Sequence, residues 1–216
     1  MVPELSEWTI VLVGQWNPHI FSAKWIAEEL FSSPGISIEA EMMIAPTIST
    51  PRYSYDDLII SPSIHRLIVG VKKADEETLT KAESLAVKVL ELLRHTPIRG
   101  LGINFAFSEK DLSPEILRIF NLPDTPASLA AGIEKYTDTE IIRKVSHLDR
   151  ELNIKIGLSD NSAKFKIHYN FHKTGKSADN TKENLQNSVV KFYNESLRLS
   201  SKVYQLSLST EESDGH

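Results

Sequence analysis

The sequence predicts an α+β fold made of two pseudo-repeated β-α-β-β-β-α units, with a mainly antiparallel sheet and long helices packed on one face. The same order of a strand, a short helix, three strands and a long helix is read at 8–95 and again at 98–204. The repeat is one of pattern, without sequence identity. Apolar and polar residues alternate in the strand-like stretches, as is typical of sheets with one buried face. The predicted units are 1–96 and 97–206, forming one compact body, followed by a flexible acidic tail at 207–216.

The elements of the first unit follow from local signals. A β-branched run ended by Gly14 predicts the first strand, and Asn17-Pro18 predicts the start of a helix. Asp75 is the predicted cap of the long helix. The predicted elements are a strand at 8–13, a helix from 17 to 30, a strand at 36–42, an exposed loop at 45–57, a hairpin of 58–60 with 64–71, and a helix from 75 to 95.

The second unit begins with a strand in which large apolar residues alternate with Gly100, Gly102, Asn104 and Ala106. Small residues on one strand face predict that another backbone or helix packs closely against it. A capping-box spacing of Asn180 and Glu183 predicts the start of a single C-terminal helix. The predicted elements are strands at 98–107, 141–148, 152–158 and 163–172, a helix at 113–120, a loop at 121–138, a turn at 159–162 and a helix from 180 to 204.

Composition limits the class of protein. The chain has 216 residues, a net charge of -5 and no cysteine, which excludes disulfides, thiolate metal sites and a cysteine nucleophile. It contains no apolar stretch long enough to span a membrane, and its N-terminus has no signal-peptide pattern. We therefore expect a cytoplasmic protein without membrane association. The acidic balance lies in the first half, whereas 97–206 are mildly basic.

The strand at 163–172 is the strongest candidate site. Its aromatic and aliphatic residues alternate with Lys164, Lys166, His168, Asn170 and His172, which therefore share the opposite side. His168 and His172 flanking Asn170 could serve as an acid–base pair or hold a metal or phosphate. Residues four apart on a strand are too distant to share one metal without a third ligand, so we predict no metal and no cofactor. A solvated or partner-binding face is the favoured interpretation, with Lys164 and Lys166 as binding residues.

Two further segments are candidate binding sites. Trp16, Asn17 and His19 follow the first strand at a helix N-terminus, where backbone amides favour anions and Trp16 could stack on a ligand. The simpler interpretation is that Trp16 packs in the core and Asn17 caps the helix. Arg52, Tyr53 and Tyr55 combine residue types that are enriched in binding hot spots.

The favoured function is a protein-interaction or assembly module, acting through an exposed sheet face and the loop at 52–57, in a homo-oligomer or a larger complex. The first alternative is an enzyme of unknown reaction that uses His168, Asn170 and His172, with His19 or Asn104; it requires these side chains to meet in one pocket. The second is nucleic-acid binding by a basic face formed by Arg143, Lys144, Lys155, Lys164 and Lys166. No sequence motif identifies a nucleophile, a nucleotide site or a zinc site.

Overall fold

The computed structural model describes residues 1–44, 49–110, 113–120, 127, 130–132, 137–159 and 164–208. Within these ranges the chain forms one large antiparallel sheet and five helices, which confirms the predicted α+β composition. Several predicted segments lie wholly or partly outside the described residues, at positions 45–48, 121–126, 128–129, 133–136, 160–163 and 209–216.

The described residues place ten strands in the sheet. Their bounds are β1 Val2–Pro3, β2 Thr9–Gly14, β3 Glu39–Ile44, β4 Ser49–Tyr55, β5 Leu58–Pro62, β6 Arg66–Val71, β7 Ile98–Glu109, β8 Asp138–His147, β9 Arg150–Ser159 and β10 Lys164–Thr174. Their order across the sheet is β3-β4-β5-β6-β2-β7-β10-β9-β8, with β1 paired to the end of β7. The sheet is therefore continuous across the predicted unit boundary, because β2 and β7 are neighbours in its centre.

Five helices of the described ranges accompany the sheet. They are α1, which is α-helical at Ala23–Trp25 and continues as a π-helix at Ile26–Leu30, α2 Glu76–Leu92, α3 Pro114–Ile119, α4 Ala178–Leu185 and α5 Val189–Tyr204. The predicted cap of α2 is confirmed, since the Asp75 carboxylate accepts the Thr78 N–H at 2.7 Å. The predicted helix from 17 to 30 is wrong at its start. Asn17 caps only a short 3₁₀ turn, Pro18–Ile20, and Ser22 caps α1.

The predicted single C-terminal helix is two helices. Ser177, rather than Asn180, caps α4, and the chain breaks at Asn187, whose φ is 59°. The break is stabilised by Glu83 of α2, whose carboxylate accepts the N–H groups of Asn187 at 2.7 Å and Val189 at 2.8 Å. A side chain about a hundred positions away thus takes over the capping of α5, which no local sequence signal indicates.

Large apolar side chains lie on one side of the sheet, which we call the aromatic face and define by Trp8, Phe105 and Phe171. Trp8 meets Phe105 edge-on, with 5.3 Å between ring centroids, and Phe171 stacks on Phe192 of α5 at 4.5 Å. Such ring pairs add about 0.5–1.5 kcal/mol each beyond the area that they bury. Helix α2 buries Leu79, Ala82, Ala86 and Val89, and it contacts β2 and β6.

Candidate functional site

The other side of the sheet carries a row of hydrogen-bonded polar side chains, and we call it the asparagine face. Thr9, Asn104, Asn170 and Asn153 lie side by side on β2, β7, β10 and β9. Asn170 Nδ2 donates to Asn104 Oδ1 at 2.6 Å, and Asn153 Nδ2 donates to Asn170 Oδ1 at 3.4 Å. Asn104 Nδ2 donates in turn to Thr9 Oγ1 at 3.1 Å. The row crosses four strands at the centre of the sheet.

One acceptor of the row is unused. Asn153 Nδ2 also donates to Glu151 Oε1 at 3.1 Å, whereas Asn153 Oδ1 is buried and has no hydrogen-bond partner among the described residues. Leaving a buried amide oxygen unpaired is unfavourable by about 1–3 kcal/mol. The amide row therefore contains one buried acceptor that the described residues leave unsatisfied.

Two glycines of β7 make room for side chains of β10. A Cβ at Gly102 would lie 3.1 Å from Asn170 Nδ2, and one at Gly100 would lie 3.0 Å from His172 Cε1. At these two glycines the prediction of a closely packed backbone or helix is therefore wrong. The atoms nearest to them are side chains of the neighbouring strand β10, which lean over the glycines.

Two clefts lie on the asparagine face, one at each end of β10. The first has a volume of about 470 Å³ and the second about 620 Å³. His168 lines the first cleft and His172 lines the second, so the two histidines do not share a pocket. Asn170, which lies between them on the strand, is engaged by Asn104 and Asn153. The structure thus does not bring together the three residues that the enzyme hypothesis requires to meet.

Ion pairs dominate the first cleft. Lys155 pairs with Glu140 at 2.5 Å, and Lys166 pairs with Glu7. Lys164, another lining residue, pairs with Glu4, and the bond from Lys164 is the main reason that the pKa of Glu4 lies below its usual value. Three of the lysines predicted to form a basic face are therefore already neutralised by carboxylates of the chain itself.

Burial keeps His168 neutral. Its pKa is lowered mainly by loss of solvent, with smaller contributions from the charges of Lys166 and Lys155, while Glu7 acts in the opposite direction. The side chain therefore offers one nitrogen donor and one nitrogen acceptor at neutral pH rather than a positive charge.

The floor of the first cleft is Gly157 of β9, which faces Lys166 across the strands. A Cβ built on Gly157 would meet no atom within 4 Å, in contrast to the crowded glycines of β7. The cleft is thus open down to the backbone of β9.

Arg52, Tyr53 and Tyr55 lie in a strand, so the predicted exposed loop at this position is wrong. They belong to β4, which pairs with β3 on one side and β5 on the other. Tyr55 contacts Phe31 with 4.5 Å between ring centroids, and Tyr53 packs against the core. The prolines and hydroxyl residues suggested a loop, but the alternating tyrosines supply apolar surface for the sheet. Of these three residues, only Arg52, which lies opposite Glu41, is on the asparagine face.

The candidate segment after β2, with Trp16, Asn17 and His19, is not arranged as a ligand site. Trp16 is 4% exposed, and its indole nitrogen donates to the Leu12 carbonyl at 2.9 Å, so its ring is not available for stacking. Asn17 Oδ1 accepts the His19 N–H at 3.1 Å, and both side chains are exposed. Core packing and capping account for this segment.

The sequence reasoning missed Asn153, Gly157, Glu4 and Glu7 as members of this face. Alternation within 152–158 places Asn153, Lys155 and Gly157 on one side, so part of the signal was present. The contributions of Glu4 and Glu7 depend on pairing across about 160 positions, which no local pattern contains.

No protein-family model matches this chain, and no curated protein sequence matches it. In the described ranges, no helix is both long and apolar enough to cross a membrane. Among the same residues, no group of three or more His, Asp and Glu side chains is placed to hold a metal ion.

Proposed function

We propose that this chain is a protein-interaction module that binds its partner through the asparagine face. The observation that carries the proposal is an aliphatic strip beside the amide row, formed by Val11, Val13, Ile59 and Ile68. These four side chains are partly exposed, Val13 to 37%, and Val11 lies directly opposite Ile68. An apolar patch bordered by polar groups is typical of a protein-binding surface.

We infer that the long helices α2 and α5 cover the aromatic face alone and leave the asparagine face available. Several contacts support this arrangement. Tyr169 donates to or accepts from Ser200 of α5 at 2.9 Å, and Trp8 contacts Tyr193 of α5 at 5.2 Å between ring centroids. Tyr169 alternates along β10 with His168 and Asn170, and Trp8 directly precedes Thr9 of β2, so both point away from the asparagine face.

The amide row suits this function because its members are already hydrogen-bonded to one another. A partner does not need to replace water on each amide, since most of the row's donors and acceptors are satisfied within the sheet. It needs to supply an apolar surface for Val11 and Val13. A surface organised before binding loses less side-chain freedom on association.

The charge arrangement favours a protein over a nucleic acid. Binding to phosphates depends on lysines and arginines that are free to replace counterions. Lys155, Lys164 and Lys166 are each paired with a carboxylate, and Glu39 and Glu41 lie on the same side of the sheet at its far edge. A mixed-charge surface suits polypeptide partners.

The test is affinity capture from the native cell with the wild-type chain and with Val13→Glu. When the partner binds, a carboxylate placed on the strip would lose its water without gaining a group to pair with, which is unfavourable. We expect Val13→Glu to lose a protein that the wild-type chain retains. Once that protein is purified, calorimetry should show that its affinity for Val13→Glu is at least tenfold lower, which corresponds to about 1.4 kcal/mol.

Val203→Glu is the matched control, because Val203 is a 54% exposed valine on α5. It should retain the same protein, and circular dichroism should be alike for all three chains. Retention of the same proteins by both variants, or of none by the wild type, would overturn the proposal.

We also infer that the two halves are structural repeats that meet at β2 and β7. The strand order supports this: outward from the centre it is β2-β6-β5-β4 on one side and β7-β10-β9-β8 on the other. Cutting the chain after the exposed His95 tests the junction of the two halves at β2 and β7. The two pieces, produced together, should copurify in equal amounts and fold; pieces that remain unfolded or separate would contradict it.

A further inference from the structure

Strand β8 is a long and regular edge of the sheet. It lies at the end of the strand order, and among the described residues its only strand neighbour is β9. The pairing runs without a bulge from Asp138 opposite Ser159 to His147 opposite Arg150, and β8 contains neither proline nor glycine. Natural edge strands are usually short or interrupted, because a regular edge offers a row of free backbone groups to another strand.

Apolar side chains on β8 are exposed to solvent. Ile142 is 56% exposed and Val145 is 43% exposed. Ile142 points to the asparagine face and Val145 to the aromatic face, since they oppose Lys155 and Leu152 of β9. Both sides of the edge therefore carry apolar surface that a neighbouring strand would cover.

The first half of β8 carries negative charges and the second half carries positive charges. Asp138 and Glu140 come first, and Arg143 and Lys144 follow Ile142. Glu140 pairs with Lys155 of β9, whereas no carboxylate lies within ion-pair distance of the Lys144 amine in the described part of the chain. Read in the antiparallel direction, this order is complementary to itself.

We propose that two copies of this chain join through β8, in antiparallel register with Ile142 opposite Ile142 of the second copy. Each Glu140 then faces Lys144 of the other copy, and each Asp138 faces Ser146. Opposite charges directly across antiparallel strands stabilise the pairing. The two-fold axis is perpendicular to the sheet, so the two sheets become one.

The charges also argue against the neighbouring registers. Centring the pair on Arg143 or on Lys144 would oppose two like charges, which is destabilising. Centring it on Ile141 would place Glu140 opposite Ile142 and shorten the overlap. The inference goes beyond the proposed function, because it concerns the edge of the sheet rather than the aliphatic strip.

Cysteine crosslinking tests the register directly, because the natural chain contains no cysteine. Under mild oxidation we expect Ile142→Cys to form a covalent dimer. The matched single variants Glu140→Cys and Lys144→Cys should form no covalent dimer. In each of them the cysteine would lie roughly 13 Å from the same cysteine of the second chain. The double variant E140C/K144C should crosslink again.

Sedimentation measures the association itself. We expect the wild-type chain to show a concentration-dependent dimer, and Lys144→Glu to raise its dissociation constant at least tenfold, because attraction becomes repulsion at two sites. Lys202→Glu, an exposed lysine of α5, is the control and should leave the constant unchanged.

A monomer at all concentrations, or equal crosslinking of the three single-cysteine variants, would overturn the proposal. Val13→Glu should still dimerise, so the outcome is independent of the test of partner binding.

Discussion

Glu83 of α2 accepts the backbone N–H of Ser188 at 2.9 Å, and this contact joins the long helix of the first half to the start of the last helix. The same carboxylate also accepts the N–H groups of Asn187 and Val189. A negative group at a helix N-terminus satisfies free donors and interacts favourably with the helix dipole. One side chain thus fixes both the break between α4 and α5 and their position against α2.

Replacing Glu83 with alanine should destabilise the fold by about 1–3 kcal/mol, because three N–H groups lose a charged acceptor. Urea denaturation should show a lower midpoint with an unchanged slope. Glu91→Ala is the control: this exposed carboxylate of α2 pairs with Lys182 at 3.4 Å, and its loss should have a smaller effect. Equal effects of the two substitutions would contradict the capping role of Glu83.

Removal of Asn170 should disrupt the amide row. Asn170→Ala leaves Asn104 Oδ1 and Asn153 Nδ2 without this partner, and we expect a loss of about 1–2 kcal/mol. In a double-mutant cycle with Asn104→Ala, the coupling should be about 0.5–1.5 kcal/mol. Asn194→Ala, an exposed asparagine of α5 that donates to Glu76 at 3.2 Å, should change stability less. A coupling of zero would show that the row does not act as a unit.

His168 should titrate below its ordinary pKa of 6.5, because burial disfavours the charged ring. The unfolded chain then binds more protons between the two pKa values. The His168 contribution to stability is therefore complete above pH 6.5 and declines as the pH falls from 6.5 through the lowered value.

NMR titration of the imidazole Cε1–H resonance measures this pKa, and His168→Gln identifies the signal. Glu7→Gln should lower the pKa further, because Glu7 favours the protonated ring. A midpoint at or above 6.5 would contradict the structure.

Two glycines should respond oppositely to the same substitution. Gly157→Ala meets no atom within 4 Å and should stabilise β9 by about 0.5–1 kcal/mol, because glycine is unfavourable inside a strand. Gly14→Ala should destabilise the fold, since its Cβ would lie 2.6 Å from the Pro97 carbonyl oxygen. Thermal unfolding of the two variants compares them directly. A lower midpoint for Gly157→Ala would contradict the open space at Gly157, and a higher midpoint for Gly14→Ala would contradict the close approach of the Pro97 carbonyl.

The sequence predicts the parts of the fold that depend on residues close to one another along the chain. Alternation placed His168, Asn170 and His172 on the face opposite Phe171, and Asp75 marked the start of α2. Segments with mixed signals were predicted wrongly: β4 contains Pro51, and its tyrosines are held by Phe31 and the core rather than by solvent.

The site depends on contacts between distant positions. Asn104, Asn153 and Asn170 are ordinary polar residues in their own strands and become a row only through the register of three strands. The pairing of Glu7 with Lys166 likewise requires the N-terminal segment to reach β10. Such relationships arise from the sheet topology, which pattern alone does not specify.

The position of the tryptophans has a practical consequence for spectroscopy. Trp8, Trp16 and Trp25 are the three tryptophans of the chain, and all precede β3. Intrinsic indole emission therefore reports on the N-terminal part and on the junction where Trp8 meets Phe105, while far-ultraviolet dichroism averages over every helix and strand. Following both signals through one denaturation distinguishes a single cooperative transition from sequential melting of the two halves.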